Sequence, residues 1–416
     1  MTSFSIKNFG CRVNQAEAFD WAEELQERGF RLEKDFERSH VVVVNTCTLT
    51  GRADRDARRF IRRILRLNPG AKVVATGCLA ERNPAELENI WGVWRVIPNS
   101  QKAMLAGYIH LGEDANSEAS VVPFRARALV KVQDGCNMSC SFCVIPRVRG
   151  RSVSTPRESV LSRVKQLAEN GFAEIVLTGI HLCSYGRDLP QRSTLLDLLE
   201  DIEALEKAVK VRLSSLDPRL LSPRLLRHVT ASKKICPHFH LSLQHGSESV
   251  LKRMGRQSTV AEYRDTLAFL REQSPQAGIG ADIIVGFPCE AESDFEDTVE
   301  FLSEAPLTYF HVFSYSPRPG TDAAGWPQVS ESKKKARAAR LRRMSCQKNL
   351  AFRSRFLGQE LEAVVIENNG GTADALTSNY IQVRLSACPV ESGRPVLVKL
   401  NRVREHETVG EVVTRS

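Results

Sequence analysis

The sequence predicts an α/β protein in three parts. These are an N-terminal parallel α/β unit, a central open six-stranded (β/α)6 partial barrel and a small C-terminal β-barrel. Three observations lead there. Short apolar runs alternate with helical patterns through the first quarter of the chain. The alternation resumes with six further strand-like runs between Ala128 and Phe313. After Phe356 short strands follow one another between turn residues, without helical periodicity. The 416 residues can bury two or three cores. Neither a membrane-spanning apolar run nor the apolar core of a signal peptide is legible, so a cytoplasmic location is expected. Eleven cysteines in such a setting read as metal ligands more than as disulfides. The formal charge of +9 favours a polyanionic partner, nucleic acid foremost.

Three N-terminal strands share one grammar. Ser5–Phe9 ends in Gly10-Cys11, Val41–Val44 in Asn45-Thr46-Cys47, and Lys72–Ala75 in Thr76-Gly77-Cys78. Helices over 15–28 and 53–67 lie between them, the second stopped by Asn68-Pro69-Gly70. The cysteines are 36 and 31 residues apart, about one βαβ unit. Parallel strands with right-handed crossovers put their C-terminal ends on one edge, as in Rossmann or flavodoxin-like sheets. Cys11, Cys47 and Cys78 should therefore meet at one crevice as a three-thiolate site. Three buried core cysteines are the alternative. The second helix carries Arg52, Arg55, Arg58, Arg59, Arg62, Arg63 and Arg66, either a phosphate-binding face or a solvated one. Residues 112–120 read as a linker.

A strand-like run, Ala128–Gln133, leads into Cys136-Asn-Met-Ser-Cys140-Ser-Phe-Cys143. Three thiolates in one loop can hold three corners of a [4Fe–4S] cluster and leave the fourth iron open. Structural zinc is the rival, but it wants four ligands, and no fourth Cys or His follows within about thirty residues. Arg147, Arg149, Arg151 and Arg157 crowd the next segment, with no acid between residues 135 and 157. Such a field suits a phosphate-bearing substrate, with Arg149 as the residue that would orient it; a solvated loop is the alternative.

The Cys136–Cys143 spacing resembles the radical S-adenosylmethionine (SAM) superfamily. Gly10-Cys11-Arg-Val-Asn-Gln15, Asn45-Thr46-Cys47 and Gly77-Cys78, followed by that loop, resemble the methylthiotransferase family over nearly the whole chain. The resemblance implies two [4Fe–4S] clusters. One, on Cys136, Cys140 and Cys143, would bind and cleave SAM to activate a C–H bond. The other, on Cys11, Cys47 and Cys78, would take part in sulfur delivery, and a second SAM would supply the methyl group.

Helical segments over 158–169, 194–206, 260–272 and 295–304 separate the central strands, which run from Glu174, Lys210, His238, Ala281 and Tyr309. Active sites of such barrels lie at the strand C-terminal ends. Gly179, Ser215, Gln244 and Gly286 stand there, in family-like words such as Thr-Gly-Ile-His and Leu-Gln-His-Gly-Ser, and are candidates for holding SAM. Each polar residue could instead cap a helix. Cys289 departs from the family pattern, which often has Gly or Thr after Gly-Phe-Pro. Cys183, Cys236, Cys346 and Cys388 read as structural. His181, His238, His240 and His245 read as hydrogen-bonded framework.

Residues 333–343 hold seven basic residues and no acid, and should continue as a helix to Asn349. Strands over 361–366, 379–384, 395–399 and 411–414 then suggest a small barrel that resembles the RNA-binding TRAM domain. The expected domains are 1–112, 122–345 and 346–414. Within the family, Val132–Cys136 and Thr178–Asp188 look most like members that methylthiolate N6-threonylcarbamoyladenosine beside the tRNA anticodon. The implied partners are the tRNA anticodon stem-loop, a sulfur donor and an electron donor such as flavodoxin or ferredoxin. No membrane partner is expected, and the chain is expected to be a monomer. Branches acting on N6-isopentenyladenosine or on a ribosomal-protein aspartate are the rivals. A non-catalytic iron–sulfur or zinc RNA-binding protein is the rival of another class.

Overall fold

The computed structural model describes residues 2–109, 124–207 and 209–413. The expected linker 112–120, the boundaries at 112 and 122, and residue 414 of the last expected strand lie outside these. The chain forms two compact units. The first combines Met1–Arg125, Asp134–Ser152 and Ser316–Thr321; the second combines Ala126–Gln133, Val153–Tyr315 and Asp322–Ser416.

In the first unit, β1 (Ser3–Asn8), β2 (Arg31–Leu32), β3 (Val41–Thr46), β4 (Lys72–Gly77) and β5 (Val93–Ile97) form a parallel sheet in the order β2-β1-β3-β4-β5. This is the flavodoxin-like order. Successive valines of β3 point to opposite faces. Val41 and Val43 join Phe4, Trp21 and Leu25 on the face covered by α1 (Arg12–Glu27). Val42 and Val44 join Ile61, Ile64 and Leu65 on the face covered by α2 (Gly51–Leu67). Such two-sided burial explains why β3 reads as an unbroken apolar run. Thr50 caps α2 by accepting from the Ala53 N–H at 3.2 Å. Arg52, Arg55, Arg59, Arg62, Arg63 and Arg66 are exposed on its outer face.

In the second unit, β6 (Ala128–Asp134), β7 (Val153–Ser154), β8 (Glu174–Gly179) and β9 (Lys210–Leu213) make one sheet in the order β7-β6-β8-β9. β10 (His238–Gln244), β11 (Gly278–Val285) and β12 (Tyr309–Ser314) make another. Among the described residues, only isolated parallel bridges, Val211 to Ile235 and Leu216 to Leu241, join the two sheets. β6, β8, β9, β10, β11 and β12 are the six expected strands, with a loosened seam after β9.

A helix, Glu331–Ser354, runs unbroken through the expected boundary at 345/346. After it come β13 (Glu360–Asn368), β14 (Ala373–Thr377), β15 (Gln382–Leu385), β16 (Pro395–Val403) and β17 (Thr408–Val412). They close a barrel in the order β13-β14-β15-β17-β16, around Val365, Ala375, Val383, Val398 and Leu400. The strand expected from Asn379 starts at Gln382 because residues 377–381 form a turn. There Thr377 N–H donates to Ile381 C=O at 2.9 Å, and Tyr380 takes φ +74°.

Candidate functional site

β1 and β3 flank the point where the strand order of the first sheet reverses, the place where ligands of such sheets bind. Cys11 follows β1 at the N-cap of α1, Cys47 follows β3, and Cys78 follows β4 as the first residue of α3 (Cys78–Arg82). Gly77 holds φ +94°, and a side chain there would collide with the backbone of Thr46, so only glycine lets the chain turn into Cys78. Cys11 Sγ donates to Asn14 Oδ1 at 3.2 Å, and Cys47 Sγ accepts from the Leu49 N–H at 3.5 Å. Asn14 is itself held by Asn45 Oδ1 at 2.8 Å.

Burial pushes the Cys11 thiol up, with Cys78 adding to the rise. Burial and Cys78 together push Cys47 up to about 12. Thiols held up as Cys11 and Cys47 are become thiolates more readily when a cationic centre binds them, which fits a metal cluster. Among the described residues, neither cysteine triad gathers its sulfur atoms within 4.8 Å of one another.

Arg149 reaches this crevice. Its side chain is fully buried, and Nε donates to Cys78 Sγ at 3.3 Å. Nη1 donates to Glu17 Oε1 at 3.0 Å and Asp134 Oδ1 at 2.8 Å; Nη2 donates to Asn14 Oδ1 at 2.9 Å and Glu17 Oε2 at 3.4 Å. Lys102 Nζ completes the network at 2.6 Å from Glu17 and 3.3 Å from Asp134. The expected free field of four arginines is thus corrected at Arg149. Its acids lie outside the acid-free stretch, Asp134 just before it and Glu17 far from it in sequence, and no N–H is left to orient a substrate. Arg157 is paired with Asp201, while Arg147 and Arg151 are exposed.

The loop of Cys136, Cys140 and Cys143 belongs to the same first unit. Cys136 N–H donates to Gly150 C=O, and Cys143 N–H to Cys140 C=O, both at 3.1 Å. All three thiols are half-buried. A short helix, Ile145–Val148, follows and packs on α3.

At the strand ends of the second unit, the hydroxyls of Thr178 and Ser215 are buried without a hydrogen-bond partner in the protein. Orphaned donors there fit a polar ligand such as SAM. Gly179 N–H points to Ser214 Oγ at 3.4 Å. Gln244 adopts φ +75° beside an irregular stretch of β10, the kind of strain that collects at binding sites. Gly286, at φ +70°, makes room for the Lys334 side chain, so the protein itself demands glycine there.

Two further features of the sequence are resolved by the structure. Lys334 and Arg337 do not belong to a solvated basic face: both are buried, and Arg337 donates to Glu290 Oε1 at 2.7 Å and Glu292 Oε2 at 2.8 Å. Cys289, left unexplained by the sequence, has φ +61° in a turn where Glu290 N–H bonds Phe287 C=O at 3.0 Å. With Pro288 before it, this is the third position of a turn that favours glycine, which accounts for the glycine of the family pattern. The histidines are framework as expected: His181 pairs with Asp217 at 3.1 Å, and His238 and His240 meet the Tyr309 hydroxyl at 2.7 and 3.3 Å.

The flavodoxin-like sheet, the partial barrel and the three-cysteine loop that follows β6 in the chain define the class as radical SAM enzymes. Residues 130–302 match the radical SAM superfamily, and residues 3–97 match an uncharacterized protein family, UPF0004. The chain belongs to the radical SAM methylthiotransferase family and is an enzyme. It is 38% identical over 398 residues to the threonylcarbamoyladenosine tRNA methylthiotransferase MtaB of Aquifex aeolicus, covering 91% of this chain and 96% of that protein. It is 36% identical over 394 residues to the protein of the same name from Rickettsia prowazekii, covering 91% and 90%. The radical SAM methyltransferase TsrM of Kitasatospora setae shares the fold, with a TM-score of 0.56 at 15% identity over 78% of this chain and 77% of that one. Among the described residues, no helix is long and apolar enough to cross a membrane.

Proposed function

We propose that the protein transfers a methylthio group to C2 of N6-threonylcarbamoyladenosine at position 37 of tRNA. Two [4Fe–4S] clusters and SAM, as radical source and methyl donor, would serve the reaction. The observation that carries this reading is the placement of a second cysteine triad at the reversal point of the N-terminal sheet, in addition to the triad of the radical SAM loop. Cys11, Cys47 and Cys78 would hold one cluster; Cys136, Cys140 and Cys143 would hold the other. When bound, the clusters and SAM supply hydrogen abstraction, sulfur and the methyl group. The chain's own contribution is position. The hydroxyls of Thr178 and Ser215, and the backbone at Gly179, Gln244 and Gly286, offer polar groups to SAM.

For the RNA, a groove of about 750 Å³ in the second unit supports the reading better than the basic run does. Arg127, Arg342 and Arg384 line it beside Tyr309, His311 and Tyr380. The Tyr309 and Tyr380 rings stack with centroids 5.8 Å apart. Stacking platforms beside guanidinium groups suit single-stranded RNA. Replacing Arg342 and Arg384 by Gln should weaken tRNA binding and reduce the slope of log affinity against log salt by about one to two. The opposing outcome is an unchanged slope in this variant and a reduced one when the exposed Lys333 and Lys335 are neutralised.

Nucleoside mass spectrometry of tRNA from a strain lacking the protein tests the reaction. Loss of the 2-methylthio form of N6-threonylcarbamoyladenosine, with restoration by the intact chain, is expected. Loss of 2-methylthio-N6-isopentenyladenosine instead would move the protein to the neighbouring branch.

A further inference from the structure

Resting on the reading that Cys11, Cys47 and Cys78 hold a [4Fe–4S] cluster, we propose that Arg149 is a positioning residue for that cluster. It would hold Cys78 by an N–H···S bond and raise the cluster's reduction potential. The residue lies six positions beyond Cys143, on the segment that carries the other triad, yet its guanidinium ends at Cys78.

The argument is one of donors and charges. A guanidinium has five N–H groups in a fixed fork. Four of them are taken by Glu17, Asp134 and Asn14, and this grip fixes the plane. The fifth, on Nε, is aimed at Cys78 Sγ at 3.3 Å. Lys102 and Arg149 are both paired with Glu17 and Asp134, so the guanidinium charge is held in place by carboxylates. The element facing sulfur is therefore one oriented donor on a cation. Hydrogen bonds to the sulfurs are one of the protein's levers on cluster potential, and this charge-assisted one favours the reduced, more negative state. Lysine could supply the charge but not the fork.

The experiment uses full-length chain with Cys136, Cys140 and Cys143 changed to Ala, so that only the first cluster remains. Its midpoint potential is read by an EPR-monitored redox titration with Arg149 intact, with Arg149→Gln and with Arg149→Lys. The inference expects Arg149→Gln to lower the midpoint by at least tenfold in the redox equilibrium constant, about 59 mV for one electron. Arg149→Lys should lower it by less. A midpoint unmoved in Arg149→Gln that keeps its iron overturns the proposal. Should Arg149→Gln fail to keep its iron, the lysine variant decides: a lowered midpoint supports the proposal and an unmoved one overturns it. Absence of iron with Arg149 intact is a different failure: it removes the cluster reading, and the proposal with it.

Discussion

Protein with Cys136, Cys140 and Cys143 all changed to Ala is expected to retain about half of roughly eight irons and to cleave no SAM. The intact chain, reconstituted without oxygen, should carry four irons on each triad. The three loop thiols are only half-buried, and the loop backbone is tied by Cys136 N–H to Gly150 C=O and Cys143 N–H to Cys140 C=O. Alanine keeps those backbone bonds, so the fold should survive the triple change. The reverse variant, Cys47→Ala, should lose the other half of the iron and all methylthiolation while still forming some 5′-deoxyadenosine. Cys47 is buried in a crevice shared with Cys11 and Cys78, so its loss would remove one of the proposed ligands without touching the loop. Iron analysis and chromatography of SAM products read both variants. Full iron in the triple variant would refute the loop as a cluster site. A Cys47→Ala protein that is folded, keeps its loop cluster and cleaves no SAM would refute the division of roles.

Arg212→Met should destabilise the second unit by about 3–5 kcal/mol, the usual cost of stranding a buried charge. The Arg212 side chain is fully buried. It grips Glu174 with two bonds of 2.7 and 2.8 Å, and donates to Ser378 C=O at 3.0 Å and Thr377 C=O at 3.2 Å. Its guanidinium also lies over the Tyr380 ring, 5.4 Å from the centroid. One side chain therefore ties the sheet of β8 and β9 to the turn between β14 and β15. Without it, buried Glu174 keeps Arg127, at 2.9 Å, as its one cationic partner among the described residues, with the Cys236 thiol at 3.7 Å. Replacing both partners, Arg212→Met with Glu174→Leu, should cost less than Arg212→Met alone, because the fully buried carboxylate is gone and the charge left without its partner, Arg127, keeps 19% of its side chain exposed to water. Urea unfolding midpoints of the three proteins test the ranking, and a double variant worse than the single one would refute it.

The same pair gives a pH dependence. Burial alone would raise the Glu174 carboxyl; Arg212 and Arg127 outweigh it and bring it down to about 2. Its contribution to stability is therefore complete above the ordinary carboxylate value, near 4.5. It is lost as pH falls from there through about 2.

Period and spacing, which are local properties, carried most of what could be read in advance. Val41–Val44 could be recognised as a two-sided buried strand because its run is unbroken and its ends are marked. The cysteine behind each strand end then followed from the geometry of parallel sheets. β2, β5, β7 and β14 were missed. β2 and β7 have two residues each, β5 carries Trp94 and Arg95 exposed at the sheet edge, and β14 is a short stretch of mixed polarity. None leaves a periodic signal long enough to stand out. Cys289 and Tyr380 hold positive φ that no residue type announces, since the surrounding turn imposes it. Charges were the largest misreading, and for one reason. A run of arginines or lysines counts charge along the chain, whereas burial and pairing depend on residues far away in it. Glu17 reaches Arg149 across 132 positions, and Glu290 reaches Arg337 across 47. Strand ends and cysteine order are written locally. Whether a cation faces solvent, a carboxylate or a sulfur is settled only when the chain has folded, because Coulomb and hydrogen-bond energies depend on distance in space and on exclusion of water.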